Sequence, residues 1–84
     1  MNKGCKYYKF TFIININTNY KYKLICGGLY AKSFDEALDK LPNAIQKRIG
    51  GITEHLYCIK IYGKEGRLRY FTNWEDMIHE ISIA

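Results

Sequence analysis

An alternation of apolar and polar side chains near the start of the chain constrains the fold more than any other feature. From Tyr8 to Ile16 every second residue is aromatic or isoleucine, which is the periodicity of a β-strand with one buried face. A second alternating run begins at Tyr20, after the polar residues 17–19. Because Asn19 tolerates the left-handed backbone conformation, residues 17–19 predict a three-residue hairpin loop.

This loop and the hydrophobic pattern predict the same register for the first hairpin. Four apolar pairs then share the core face: Ile16 with Tyr20, Ile14 with Tyr22, Phe12 with Leu24, and Phe10 with Cys26. The same register places three lysines on the opposite face, namely Lys9, Lys21 and Lys23. Gly27-Gly28 predicts a bulge or bend before the last residues of the second strand, 29–32.

The segment after residue 32 has the pattern of a capped amphipathic helix. Ser33 and Glu36 form the spacing of a capping box. Apolar residues follow at helical spacing: Phe34, Ala37, Leu38, Leu41 and Ile45. Pro42 either kinks this helix, or ends it near Leu41 and begins another with proline in the first turn. Gly50-Gly51 predicts the end of the helix.

A second hairpin and a second helix complete the chain. A four-residue loop, 63–66, pairs Ile61 with Leu68 and Ile59 with Tyr70. That register directs six residues outward: Cys58, Lys60, Tyr62, Arg67, Arg69 and Phe71. The last helix is predicted to start near Thr72 or Asn73, with an apolar stripe formed by Trp74, Met77, Ile78 and Ile81.

The order of elements predicts the fold class. We expect an α+β domain over residues 1–84, with a mobile N-terminus at 1–5 and a four-stranded antiparallel sheet with two helices on one face, in the order ββαββα. Residues 33–41 align with 73–81 as cap, aromatic, two acids and an apolar stripe. This likeness fits two ββα pseudo-repeats, and it also fits any two amphipathic helices that follow strands. The strand order is not predicted.

The residues that chemistry would require are scattered. His55 and Cys58 are the closest soft-ligand pair, and on a strand they point to opposite faces, so we expect neither a metal nor another cofactor. No cysteine or serine is predicted beside a histidine. Asp35, Glu36, Glu75 and Asp76 lie in helix first turns, where they favour the helix dipole. We therefore expect no catalytic residue and no enzyme, and a small nuclease ranks only third among the alternatives.

Targeting signals are not evident in the sequence. Residues 1–9 are polar, and apolar runs such as 12–14 are far too short to cross a membrane. We expect a cytoplasmic protein (in the host cytoplasm if it is viral) with reduced thiols and no membrane partner.

The predicted outward face of the sheet is the main functional candidate. It collects cations and two aromatic residues without an acid: Lys9, Lys21, Lys23, Lys60, Arg67, Arg69, Tyr62 and Phe71. The chain has a net charge of +5 and eight acidic residues, and six of these acids lie on the two predicted helices. Cations among aromatics suit phosphate contacts and base stacking, which favours nucleic acid or a nucleoprotein complex as partner. An ordinary solvated strand face has the same composition.

Two further interpretations concern the partner and the source. A protein–protein interaction or dimerising module, with the basic face against an acidic protein surface, is the alternative function. The small size, basic charge and AT-rich codon bias fit a regulator or inhibitor that a phage or other mobile element encodes against a host nucleic-acid-handling defence system.

Folding is predicted to need neither a metal nor a disulfide, because the three cysteines are widely spaced and lack ligand partners. Thermal unfolding in the presence of a chelator, and separately of a reductant, should give the midpoint of the untreated protein. A large fall in the midpoint with either reagent would contradict this expectation.

Overall fold

Four strands and two helices follow one another in the predicted order. The computed structural model describes residues 4–15, 22–50 and 55–82. The elements are β1 (Lys6–Asn15), β2 (Tyr22–Ala31), α1 (Phe34–Ile49), β3 (Leu56–Tyr62), a short 3-10 turn η1 (Lys64–Gly66), β4 (Leu68–Asn73) and α2 (Trp74–Ser82). The α+β class and the ββαββα order are confirmed.

Some of the predictions lie outside the described residues. They are the hairpin loop at 17–19, the pair Ile16–Tyr20, the outward position of Lys21, the helix stop at Gly51, and the first three residues of the predicted mobile N-terminus.

The sheet has the strand order β2-β1-β3-β4, and every neighbouring pair is antiparallel. The first strand of each hairpin therefore lies at the centre and the second lies at an edge. Because β1 and β3 run in opposite directions, the two ββα halves are arranged as inverted copies of one another. Two pseudo-repeats would take this arrangement.

Both helices pack on the same face of the sheet, which we call the inner face. Its core contains side chains from all four strands and both helices that are at most 8 % exposed. The most deeply buried large side chains are Phe10, Phe12, Leu41, Ile45, Leu56, Ile59, Ile61, Phe71 and Met77. Residues this large supply the buried apolar area that a short chain needs.

The helix ends follow the local signals in the sequence. The Ser33 Oγ accepts a hydrogen bond from the Glu36 N–H at 3.1 Å, and the Asn73 Oδ1 accepts one from the Asp76 N–H at 2.8 Å. Gly50 ends α1 in the left-handed conformation, with φ 76°. Since α1 is continuous through Pro42, the alternative of a new helix at Pro42 is wrong.

The register of the first hairpin differs from the predicted one by a single residue. Phe10 pairs with Gly27 and Phe12 pairs with Ile25, not with Cys26 and Leu24. Because successive side chains of a strand point to opposite faces, this shift reverses every side chain of β2. Cys26, predicted in the core, is exposed on the other face.

The two adjacent glycines of β2 explain this register. A side chain at Gly27 would place its Cβ 2.6 Å from the Cζ of Phe10, so the Phe10 ring occupies that space on the inner face. On the opposite face the Tyr7 ring lies over Gly28 in the same way. The predicted bulge is absent here, since the β1–β2 pairing continues without a shift from Lys6↔Ala31 to Asn15↔Tyr22.

The second hairpin is also shifted by one residue. Ile61 pairs with Arg69 and Ile59 pairs with Phe71, because η1 and its flanking residues lengthen the connection beyond the predicted four residues. The Phe71 side chain is consequently buried in the core.

An irregularity lies in β3 instead. The β1–β3 register shifts between Thr11 and Ile13, and opposite this step Cys58 has φ 52°, the one positive φ among the described non-glycine residues.

The shifted register predicts that two adjacent substitutions in β2 change the free energy of unfolding by unequal amounts. Ile25→Ala should lower the free energy of unfolding by about 1–2 kcal/mol, because the half-buried Ile25 packs against the core. Leu24→Ala should change it by less than about 0.5 kcal/mol, since Leu24 lies on the uncovered face. Denaturant unfolding measures the free energy of unfolding of both variants. A larger loss for Leu24→Ala than for Ile25→Ala would contradict the observed register and support the one predicted from the sequence.

Candidate functional site

The face of the sheet opposite the helices, which we call the outer face, is covered by neither helix. The pairings of the four strands assign its members. They are Tyr7, Lys9, Thr11 and Ile13 of β1, Tyr22, Leu24, Cys26 and Tyr30 of β2, Tyr57, Lys60 and Tyr62 of β3, and Leu68 and Tyr70 of β4.

Aromatic side chains dominate the outer face. The exposed large hydrophobic residues of the described chain number eight, and all eight lie on this face: Tyr7, Tyr22, Leu24, Tyr30, Tyr57, Tyr62, Leu68 and Tyr70. Their exposed fractions range from 38 % to 63 %. Scattered apolar residues are normal on a surface, whereas a contiguous set of this kind indicates a binding surface.

Two tyrosines form a preorganised pair at one end of the face. Tyr7 and Tyr30 are directly opposite each other on β1 and β2, and their ring centroids are 5.2 Å apart at an interplanar angle of 60°. The Tyr7 ring also lies over Gly28, where no side chain competes for the space. The packing of these rings against each other and against bare backbone limits the motion that binding would have to restrict.

A second aromatic group lies across β3 and β4. Tyr62 lies between Lys9 and Leu68, and Lys60 lies beside Tyr70. The Tyr70 hydroxyl donates a hydrogen bond to the Cys58 Sγ at 3.6 Å. This hydrogen bond raises the pKa of Tyr70 above that of a free tyrosine, so the ring carries no charge at neutral pH.

The structure brings together three of the eight residues that the sequence predicted for the binding face. Lys9, Lys60 and Tyr62 lie on the outer face as expected. The prediction of an outward position is wrong for four others: Lys23, Arg67, Arg69 and Phe71. The eighth, Lys21, lies outside the described residues.

Each misplaced residue belongs to the inner side for a visible reason. Lys23 pairs with Ile14, whose side chain packs against the core. Arg69 pairs with Ile61, forms an ion pair with the Glu80 Oε1 at 3.1 Å, and lies 5.1 Å above the ring of Phe71. These contacts connect the edge strand to α2 and leave the guanidinium turned away from the outer face.

Arg67 also turns toward the helices. Its guanidinium carbon lies 4.6 Å from the centroid of the Phe34 ring, a cation–π arrangement at the start of α1. The outer face therefore has two cations among its described members, where the sequence predicted six.

Sequence reasoning missed five tyrosines of this face, namely Tyr7, Tyr22, Tyr30, Tyr57 and Tyr70. The signal that could have found Tyr22 and Tyr30 is the adjacent pair Gly27-Gly28, because an edge strand tolerates glycines best where rings from the neighbouring strand cover them. Placing the Phe10 ring over Gly27 and the Tyr7 ring over Gly28 gives the observed register.

The two sides of the sheet differ in where the carboxylates lie. The described outer face has Lys9 and Lys60 and no carboxylate, whereas Asp35, Asp39 and Glu80 lie on the helices with the other helical acids. Within residues 4–15, 22–50 and 55–82, no group of three His, Cys, Asp or Glu side chains is placed to hold a metal ion. Over the same residues, no helix has the length and hydropathy needed to span a membrane.

Comparison of this chain with protein families, with curated proteins and with solved structures gave no match. The surface itself is therefore the basis for a functional assignment.

The observed register of β2, which directs Cys26 to the outer face, predicts the order in which Cys26 and Cys58 react. Cys26 on the outer face should be alkylated in the native protein well before Cys58, which is half-buried and accepts the Tyr70 hydrogen bond. Timed alkylation followed by peptide mass spectrometry measures this order, and a Cys26→Ser variant identifies the fast site. A Cys26 thiol that reacts only on unfolding would contradict the observed register.

Proposed function

We propose that this protein is a binding protein that acts without catalysis, and that its outer face binds single-stranded nucleic acid. The observation that supports this proposal is the concentration of all eight exposed large hydrophobic side chains, six of them tyrosines, on one uncovered sheet face. Tyrosine rings stack on the faces of unpaired bases regardless of sequence.

The balance of rings and charges favours a single strand over a duplex. Binding to a duplex depends on many phosphate contacts and on an element that enters a groove. The outer face offers two cations and a broad surface of rings, which suits splayed bases with a few phosphate contacts. Lys9 and Lys60 lie beside Tyr62 and Tyr70, so a phosphate contact and a stacked base can be neighbours.

A protein with such a face fits the role of a small cytoplasmic regulator or inhibitor of a nucleic-acid-handling system, including one encoded by a phage or other mobile element. It would act by occupying single-stranded segments or the nucleoprotein complex that exposes them.

Removing rings from the outer face should weaken binding without unfolding the protein. Tyr30→Ala and Tyr62→Ala should each reduce the affinity for a single-stranded oligonucleotide by about 5- to 150-fold, because a stacked base contributes about 1–3 kcal/mol. Fluorescence anisotropy measures the affinity. The matched controls are Tyr30→Phe and Tyr62→Phe, which keep the ring and should bind like the parent.

The salt dependence provides an independent check on the same binding reaction. Two phosphate contacts from Lys9 and Lys60 predict a log–log slope of about −1.4 for a single strand. Equal binding by the parent and by the alanine variants would show that the tyrosines are not a stacking platform.

One observation favours a second candidate, a dimerising or protein-binding module. An apolar area without a cation lies at the Asn15 end of the face and is formed by Ile13, Tyr22 and Leu24. The Leu24 side chain is 63 % exposed. Such an area suits packing against another protein or a second copy of this chain.

Sedimentation velocity over a range of concentrations distinguishes the two candidates. A second copy on this face predicts a dimer that Leu24→Glu dissociates, because the substitution would bury a charge in the interface. A monomer at all concentrations, with undiminished nucleic-acid binding by Leu24→Glu, favours the first candidate over self-association.

A further inference from the structure

We propose that a cavity at one end of the inner side, separate from the outer face, binds a phosphate group. The cavity has a volume of about 290 Å³, and four cations line it: Lys6, Lys32, Lys64 and Arg67. We call it the four-cation cavity. The outer-face proposal does not require this site, since none of the four cations is a member of the outer face.

The topology brings the four cations together from three separate segments, because Lys64 and Arg67 share the connection between β3 and β4. Lys6 begins β1, Lys32 follows β2, Lys64 begins η1, and Arg67 precedes β4. Because β1 is antiparallel to both β2 and β3, the start of β1 and the ends of its two neighbours lie at the same end of the sheet. Residues 26 or more positions apart in sequence therefore line one small cavity.

Part of the cavity is held rigidly. The Arg67 guanidinium lies 4.6 Å above the ring of Phe34, which is 6 % exposed. The Arg67 N–H donates to the Lys64 carbonyl at 3.2 Å, and the Gly63 N–H donates to the Arg67 carbonyl at 2.8 Å. Gly63 packs so closely on Phe34 that a Cβ there would lie 2.7 Å from the ring. The backbone at Lys64 and the side chain of Arg67 are thus positioned before any ligand arrives.

The charges of the cavity are not balanced by carboxylates within it. Its described lining consists of the four cations together with Tyr8, Ser33 and Phe34; the Glu65 side chain is not described. Of the acids in the first turn of α1, Asp35 lines a different cavity, together with Arg69 and Glu80.

Glu36 is likewise committed to another partner. Its Oε1 lies 3.1 Å from the Lys40 Nζ, and this ion pair is the main cause of the lowered pKa of Glu36, with a smaller contribution from Lys32. Glu36 therefore offsets the charge of Lys32 only in part.

Four like charges around a small volume repel one another, and an anion in that volume relieves the repulsion. A phosphate group fits best, because a planar guanidinium and ammonium groups from several directions match its several acceptor oxygens. The Ser33 hydroxyl, whose oxygen already accepts the Glu36 N–H, retains a proton that it can donate to the ligand.

The phosphate can belong to a free phosphorylated small molecule or to a nucleic acid. Tyr7, Tyr30 and Tyr62 lie at the same end of the sheet as the cavity, on the outer face. A single strand stacked on these rings could therefore reach the cavity with one of its phosphates. This assignment of the source rests on the proposed function, whereas phosphate binding itself does not.

The test is a titration with pyrophosphate, followed by the amide NMR shifts of the protein. The parent should show saturable shifts at Ser33, Phe34 and Lys64. Lys32→Gln combined with Lys64→Gln should weaken the affinity by about tenfold or more. The matched control combines Lys47→Gln with Arg48→Gln, which removes the same charge at the far end of α1 and should bind like the parent. No saturable shifts at these amides, or an equal loss in the control pair, would overturn the proposal.

Oligonucleotides with and without a 5′-phosphate distinguish the source. If Lys32→Gln with Lys64→Gln weakens the phosphorylated form alone, the cavity takes a strand end; if it weakens both forms, the cavity takes a backbone phosphate. If it weakens pyrophosphate and neither oligonucleotide, the ligand is a small phosphorylated molecule. Tyr30→Ala should leave pyrophosphate affinity unchanged, so a failure of the outer-face proposal and a failure of this one give different results.

Discussion

The fit of two aromatic rings against two adjacent glycines determines the arrangement of the sheet. Phe10 fills the space over Gly27 on the inner face, and Tyr7 fills the space over Gly28 on the outer face. A shift of one residue in either direction would set at least one of these rings against a side chain, so the two contacts select a single register. That register decides which face of β2 meets the core.

The functional surfaces follow from this choice. With Ile25, Leu29 and Ala31 directed inward, Tyr22, Leu24 and Tyr30 are directed outward, where neither helix covers them. The second hairpin completes the same pattern, because its pairing directs Tyr62, Leu68 and Tyr70 outward and turns Arg69 toward Glu80. The sheet thereby separates a face of rings from a side on which cations meet acids and aromatic core residues.

Features that depend on neighbours along the chain could be predicted from the sequence. The Ser33 and Asn73 side chains each accept a hydrogen bond from the amide three residues further on. The apolar stripe of α2, which runs from Trp74 to Ile81, follows from helical spacing. The strand order was not predicted, and the hydrophobic pattern alone could not give the register, because both residue sets of β2 contain apolar side chains. Tyr22, Leu24 and Cys26 match a buried face as well as Ile25, Leu29 and Ala31 do, and hydrophobicity alone cannot choose between them. For the candidate site, this ambiguity hid Tyr22 and Tyr30. The connection through η1, which is longer than predicted, is the reason that Arg69 and Phe71 were assigned to the wrong face.

The most direct test of this account is a proton NOESY spectrum of the folded protein. The account predicts cross-peaks from the Phe10 ring to the Gly27 α protons and from the Tyr7 ring to the Gly28 α protons. The α protons of both glycines should also be shifted upfield by the rings that cover them. Cross-peaks from the Phe10 ring to the Cys26 side chain, together with contacts between Tyr22 and Ile14, would show the other register and would place the tyrosines of β2 in the core.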